Sequence, residues 1–469
     1  MRSSWETGRN IRRVAMIPAI GFALLCVFLG YWQVVEAPDL RASQHNTRAR
    51  DRIKQIKPGE ILDTDGETLL GAERRGGEWE RTYPEGEFVC HLTGYNDNSG
   101  LQKGLRDALL GIGDFESPWA DFIEGPLEGN DVTLTVDLEA QKLATRLLRG
   151  KRGAAVALGA QSGAILAMVS APDYDPAGIL ESKWDYQLFQ EDPGKPEINR
   201  AVQGLYPPGS VMKVLTAAAV LDLGRVRRDT EFDCDGEYEI DGATITCPRA
   251  HGTVTLDEAL QVSCNTTFAK LGQYLTADEF VDYVGKFHLL QQPQIPLPSS
   301  KGSVAEFTGE NRDVLLAESL FGQGETLVTP FAIARMTLAI ANGGEVLEPY
   351  LVERITSPSG DTIRAAGARE AGRAVSAETA RIVAGMMANV VEEGTAGVAD
   401  IRGVRVAAKT GSAENPHGQA HSWFTAFAPA DDPQVVVAVV VENAGAGSEV
   451  AGPIARELLV HLLERQGAL

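Results

Sequence analysis

Two serines, two lysines and an asparagine fall in three short strings along this chain: Ser210-Val211-Met212-Lys213, Ser263-Cys264-Asn265 and Lys409-Thr410-Gly411. Residues three apart lie one helical turn apart on the same face, so a helix over the first string sets the Ser210 hydroxyl beside the Lys213 amine. A hydroxyl is inert as a nucleophile until a base takes its proton, and Lys213 is the candidate base. To serve it must be neutral, which calls for burial or a cationic neighbour, and Lys409 brought close by the fold supplies the neighbour. Ser263 can relay a proton to a leaving amine, while Asn265, both donor and acceptor, can orient Lys213 and a substrate backbone together. Lys409 and Thr410 offer donors to a terminal carboxylate. Gly411 lets a substrate backbone approach, and the backbone N–H beyond it, on Ser412, can face a developing oxyanion. The chemistry spelled out is serine acyl transfer. Taken singly the strings are also a helix-capping serine with a solvated lysine, a capping Ser and Asn, and a plain strand-to-turn transition. One S-x-x-K arises by chance about once in a chain this long, so the ordered trio carries the reading.

These side chains need rigid carriers. Tyr206-Pro207-Pro208-Gly209 fixes the chain before Ser210 and sets its hydroxyl at the N-terminus of a helix whose apolar positions are Val211, Val214, Leu215, Ala218, Val220 and Leu221. Gly153 to Leu158 and Ala164 to Ser170 form a hairpin about Gln161-Ser162-Gly163, and Val404 to Ala408, Ser422 to Ala428 and Val435 to Val441 read as three later strands. The early strands are apolar on both faces, which predicts a sheet covered by helices on each side. Glu139 to Leu148 and Val450 to Arg465 read as helices, and Thr253 to Ala341 is mostly helical with a break at Gly322-Gln323-Gly324. The expected fold class is α/β of the α+β type, with five strands around a helical insertion.

Ahead of this domain, Gly59-Glu60-Ile61-Leu62-Asp63 and the residues after it form short strands about an Asp-Gly turn, in a small α+β module. Loop formers at Glu124 to Asn130 place a boundary there, dividing residues 36–129 from residues 130–469, whose first strand is Val132 to Val136. Arg41 to Lys57 reads as an exposed helix or extended arm. Val14 to Val35 carries no charge over 22 residues, enough to span a bilayer. Arg2, Arg9, Arg12 and Arg13 precede it, so residues 1–13 are expected in the cytoplasm and everything after Glu36 outside. Val35-Glu36-Ala37 only faintly resembles a cleavage site, and the apolar run is long for a signal peptide.

The chain has 469 residues, 44% of them hydrophobic, and a formal charge of −21, which excludes disorder and argues against a nucleic-acid partner. Of five cysteines, Cys26 lies in the apolar run and Cys264 inside the second string. Cys234 and Cys247 bracket a turn-rich loop at a spacing of 13, which suits a local disulfide outside the membrane; two buried free thiols are the alternative. Cys90 has no evident partner.

The three strings, their order and their spacings of 53 and 146 resemble those of the class B penicillin-binding proteins, the monofunctional transpeptidases of cell-wall synthesis. The likeness extends over Gly153 to Pro176, Asn199 to Lys213, His251 to Phe268, Phe321 to Gly344, Glu393-Gly394-Thr395-Ala396 and Trp423 to Pro429. Gly59 to Asp63 and Arg81 to Gly86 resemble parts of the family's non-catalytic pedestal. The resemblance implies a penicillin-binding/β-lactamase-like fold with a five-stranded antiparallel sheet. It implies Ser210 as the acylated nucleophile, Lys213 as base, Ser263 and Asn265 as relay and orienters, Lys409 and Thr410 on the substrate carboxylate, and the N–H groups of Ser210 and Ser412 as oxyanion hole. Peptidoglycan stem peptides would be the substrate, β-lactams the inhibitors, and a membrane polymerase of the SEDS type the partner. No cofactor and no metal are expected. Ala408 and Ser412 stand where the family commonly has Gly and Thr, and Lys57-Pro58 replaces the pedestal's usual arginine. A D,D-carboxypeptidase would use the same residues with water as acceptor, and a β-lactam sensor or scaffold would keep the fold without turnover; the N-terminal anchor, the front module and the intact strings favour transpeptidation.

Overall fold

The computed structural model describes residues 3–36, 54–112, 128–416 and 418–469. They divide into two compact units, one comprising the N-terminal segment together with Arg74–Glu80 and one holding the remainder of the sheets.

The catalytic sheet has five antiparallel strands in the order Ala407–Ala413, His421–Ala428, Val435–Val441, Gly153–Gly159, Ile165–Ala171. Val435–Val441 is six valines and an alanine, β-branched side chains that fit a pleated surface, and every residue in it is buried. An antiparallel strand buried on both faces needs cover on both. Leu138–Leu148 and Ala451–Arg465 pack together on one side, and Pro330–Ala341 with Ala377–Glu392 on the other. Thr329 caps Pro330–Ala341 by accepting the Ala332 N–H, with Pro330 in the first turn, where its missing N–H is harmless. Four of the five strands stand where the sequence predicts; the one expected at Val404 to Ala408 runs Ala407–Ala413 instead, so Lys409-Thr410-Gly411 lies within it rather than after it.

The insertion between them carries the helices Lys213–Asp222, Leu256–Gln261, Asn265–Lys270, Ala277–Lys286 and Arg312–Leu320. Two small ribbons precede the second of these: Glu231–Cys234 pairs with Gly252–Thr255, and Glu237–Ile240 pairs with Ala243–Thr246. Asp241 and Gly242 turn the inner ribbon with φ of 47° and 83°, the pattern of a type I′ turn.

A second sheet has six strands in the order Thr362–Ala365, Val352–Thr356, Asp131–Leu134, Ile61–Leu62, Thr68–Arg75, Glu78–Thr82. Asp131–Leu134 pairs parallel to Ile61–Leu62 and antiparallel to Val352–Thr356. The strand expected to open the catalytic domain therefore lies in the front sheet, and that sheet draws strands from both sides of Asn130. Residues 124–127 of the expected boundary, and all but the last residues of the expected arm at Arg41 to Lys57, lie outside the described residues.

The helix Ser3–Gly30, continued by the turn Tyr31–Val35, contains one stretch, Arg12–Val34, long and apolar enough to cross a membrane. At 23 residues it spans about 34 Å.

Candidate active site

Ser210 lies in a 3₁₀ turn, Gly209–Met212, that leads directly into the helix Lys213–Asp222. That helix is buried from Lys213 through Val220, so the lysine is carried into the core by its own apolar helix. Gly209 has φ of +57°, and its N–H donates to the Gly322 carbonyl at 2.8 Å. The Gly-Gln-Gly break is thus fastened to the turn that carries Ser210.

Lys213 is fully buried, and its Nζ has three acceptors: the Ser263 carbonyl at 2.7 Å, Asn265 Oδ1 at 2.8 Å and Ser263 Oγ at 3.2 Å. Phe268 and Phe321 flank it, with ring centroids 5.5 and 6.0 Å away. Loss of water pushes its pKa down to about 7, against a smaller upward pull from Cys264 and Cys247. Asn265 is itself held, donating from Nδ2 to the Thr246 carbonyl at 3.0 Å. Ser263 turns the chain with φ of +58°, a left-handed conformation uncommon for a residue with a Cβ.

Lys409 reaches the same serine from the sheet. Its Nζ donates to Ser263 Oγ at 3.0 Å and to the Thr410 carbonyl at 3.0 Å, and it too is fully buried. Burial first, and Lys213 second, hold its pKa well below the ordinary lysine value. One hydroxyl therefore bridges two buried amines that cannot both keep a proton cheaply, and they titrate as a pair. Asn265 Oδ1 and the Ser263 carbonyl only accept, so a neutral Lys213 spends two N–H groups on them and turns its lone pair elsewhere.

Ala407–Ala413 is the outer strand of its sheet, so its far edge is free to pair with an extended peptide. Gly411 is buried, and a Cβ there would stand 2.9 Å from Trp423 Cβ and 3.2 Å from Val211 Cγ1; the residue is glycine because Trp423 and the turn that carries Ser210 pack against it. Thr410 Oγ1 meets Thr395 Oγ1 at 2.8 Å, and Ser412 is exposed. Trp423 Nε1 donates to the Pro207 carbonyl at 3.0 Å, fastening the strand His421–Ala428 to the loop before Ser210.

The fold that carries this arrangement recurs in solved proteins. Residues 153–460 match the model of the penicillin-binding protein transpeptidase domain. The chain belongs to the penicillin-binding protein transpeptidase family. It is 33% identical to the peptidoglycan D,D-transpeptidase PbpA of Mycolicibacterium smegmatis, over 98% of this chain and 99% of that one. It is 32% identical to stage V sporulation protein D of Bacillus subtilis, over 88% of this chain and 67% of the relative. Among solved structures, the ceftriaxone acyl-enzyme of Mycobacterium tuberculosis penicillin-binding protein A superposes with a TM-score of 0.81 at 30% identity, covering 87% of this chain and 99% of that one. The D,D-transpeptidase domain from Eggerthella lenta gives 0.80 at 32%, covering 88% and 100%.

In this class B penicillin-binding protein the structure brings Lys213, Ser263, Asn265 and Lys409 into direct contact, with Thr410, Gly411 and Ser412 along the adjoining strand. Ser210 stands in the turn that leads into Lys213, whose donors are directed to Ser263 and Asn265. Thr395 and Gln323, which donates to the Ser412 carbonyl at 3.5 Å, were not singled out as site residues from sequence; Thr395 lies in a family-like segment, but its contact with Thr410 depends on the fold. The sulfurs of the expected pair Cys234 and Cys247 stand 3.8 Å apart and unbonded in the structure, against about 2.05 Å for a disulfide. Cys247 also faces Cys264 at 3.7 Å, so its surroundings are shared rather than paired.

Proposed function

We propose that this penicillin-binding protein cross-links peptidoglycan stem peptides through an acyl-enzyme on Ser210, and that the Ser263 hydroxyl shared by Lys213 and Lys409 is the observation that carries the reading. A stem peptide lies along the free edge of Ala407–Ala413 with its terminal carboxylate on Lys409 and Thr410. Bringing a carboxylate to Lys409 favours the charged amine there, and the proton deficit of the pair then falls on Lys213. Neutral Lys213 takes the Ser210 proton as Oγ attacks the penultimate D-Ala carbonyl carbon, and the N–H groups of Ser210 and Ser412 hold the oxyanion. The C–N bond breaks, the leaving D-Ala amine receives its proton through Ser263, and Ser210 carries the ester. An amine of a second stem peptide then attacks the ester carbonyl, and Ser210 regains its proton.

The arginines before Arg12–Val34 support an N-terminus in the cytoplasm and the sheets outside. Residues 36–129 act as the pedestal and residues 130–469 as the transpeptidase domain, with glycan strands coming from a SEDS-type membrane polymerase held by anchor and pedestal. The support for that partner and that division is family resemblance.

Penicillin should add its mass once to the intact protein, on the peptide containing Ser210, and Ser210→Ala should abolish the adduct. With a stem pentapeptide and an added acceptor amine, cross-linked product and free D-Ala should form together. An adduct elsewhere defeats the nucleophile assignment, and release of D-Ala with water as the sole acceptor defeats transpeptidation.

A further inference from the structure

Three thiols and an imidazole converge beside the Ser263–Asn265 loop, and the proposed acyl transfer uses none of them. Cys234 ends the strand Glu231–Cys234, Cys247 follows Ala243–Thr246, His251 precedes Gly252–Thr255, and Cys264 caps the helix Asn265–Lys270. One ligand atom from each lies within 4.8 Å of all the others. Cys247 Sγ is 3.8 Å from Cys234 Sγ and 3.7 Å from Cys264 Sγ, and His251 Nδ1 is 3.3 Å from Cys234 Sγ.

Those separations have a specific meaning. A tetrahedral zinc ion with bonds of about 2.3 Å to sulfur and 2.0–2.1 Å to nitrogen holds neighbouring sulfurs about 3.8 Å apart and sulfur from nitrogen about 3.5 Å apart. The three measured distances match the edges of that tetrahedron to within about 0.3 Å. A disulfide between any two of the sulfurs would use one edge and leave the third thiol and the imidazole facing it.

The backbone already treats two of the sulfurs as acceptors. The N–H groups of Asn265 and Thr266 donate to Cys247 Sγ at 3.2 and 3.4 Å, and that of Thr267 donates to Cys264 Sγ at 3.4 Å. Such bonds favour the thiolate, which is the form that binds metal.

We propose that Cys234, Cys247, His251 and Cys264 hold one zinc ion in a closed Cys₃His site that fixes the Ser263-Cys264-Asn265 loop. On binding, three thiols release their protons to solvent, and neutral His251 coordinates through Nδ1 with its proton on Nε2. Three sulfurs and a nitrogen select zinc over calcium or magnesium, and four protein ligands leave no position for substrate, so the ion is structural. Cys264 lies between the two residues that hold Lys213. Metal bonds from the ribbons to Cys264 therefore pin the left-handed turn at Ser263 and the Asn265 amide in the places the lysine requires. The ligands are positioning residues.

Full-length protein extracted in detergent and purified without chelator or reductant should contain about one zinc per chain by elemental analysis. Exchange with cobalt should give the visible bands of a tetrahedral thiolate site. Stripping the wild type with a chelator should lower its melting temperature and slow penicillin acylation about tenfold or more, and zinc, but not magnesium, should restore both. His251→Gln should weaken zinc affinity at least tenfold in competition with a chromophoric chelator. Because a ligand variant can fail to fold, the strip-and-restore experiment on the wild type decides independently. A chain without zinc whose thiols all react after denaturation overturns the proposal. A chain two hydrogens lighter that yields a Cys234–Cys247 linked peptide overturns it as well.

Discussion

Gly322 and Gly324 flank one glutamine and share a left-handed backbone, with φ of +83° and +72°. A methyl group on either one meets the same intrinsic penalty, about 1–2 kcal/mol. Their neighbours separate them. A Cβ on Gly322 would stand 1.9 Å from the Gly209 carbonyl oxygen, 2.6 Å from its carbon and 2.8 Å from its nitrogen, all backbone atoms. A Cβ on Gly324 would meet Glu318 Oε2 at 3.0 Å, the far end of a side chain that can turn away, and Glu318 Cβ at 3.3 Å, a contact that a small shift relieves. To reach ordinary contact, Gly209 must retreat by about 1.5 Å, and the Ala413 backbone leaves no room behind it, since a Cβ on Gly209 itself would come within 3.1 Å of Ala413. Ser210 is the next residue. Misplacing a reacting group by about 1 Å costs about 10²-fold in rate, so Gly322→Ala should slow acylation by about that factor, while Gly324→Ala should stay within about threefold of wild type. The assay is the second-order rate constant for labelling with a fluorescent penicillin, taken at a temperature where melting curves show both variants folded. Equal slowing in the two variants, or a folded Gly322→Ala that labels as fast as wild type, would refute the coupling between this break and the nucleophile.

Acylation should also follow the protonation of Lys213. Its pKa of about 7 lies below the ordinary lysine value because burial removes water from the ammonium. Below that pH the amine already holds a proton, so the rate should fall about tenfold per pH unit and level off above it; a flat profile between pH 5 and 9 would exclude Lys213 as the base. A folded pKa below the unfolded one means that the unfolded chain binds more protons between the two values, so this group's contribution makes stability rise with pH from about 7 upward. Glu442→Ala should destabilise the fold by about 3–5 kcal/mol, because it strands the buried Arg200 whose Nε it accepts at 2.8 Å, and Tyr206, which donates to it at 2.8 Å. Burial pushes that carboxyl's pKa up, but Arg200, Tyr206 and Arg152 bring it net below the usual value. Its contribution is present above the ordinary carboxylate pKa and lost as pH falls through the folded one, so the variant should show a weaker acid dependence in urea titrations.

The strings that make the acyl-transfer site were readable because each is local: a turn, a helix start, a stretch of one strand. The five strands were readable for the same reason, since Val435–Val441 and Gly153–Gly159 are too apolar to lie anywhere but between layers. The features that escaped were settled by long-range pairing. Asp131–Leu134 reads as the first strand of the larger domain, yet its partners are Ile61–Leu62 and a strand more than 200 residues later. The cysteines escaped in the same way. Spacing offered Cys234 and Cys247 as a pair, and Cys264 was absorbed into its string, whereas folding the ribbons back brings both Cys264 and His251 beside them. The fragment Cys247-x-x-x-His251 was the one local signal of it. The Thr395–Thr410 contact had no counterpart in any single string.

The front sheet has a mechanical consequence. The polypeptide enters it at Ile61, leaves, crosses it again at Asp131–Leu134 and returns at Val352–Thr356 after most of the helical insertion. A chain cut at Asn130 would keep the second and third passes but bare the backbone edge on which the first was laid. Tension applied ahead of Ile61 is thus resisted by strands pulled past one another in shear, across hydrogen bonds that belong to the same body as the catalytic residues. A tug on Ile61 is therefore a load on Asp131–Leu134 and, through it, on Val352–Thr356.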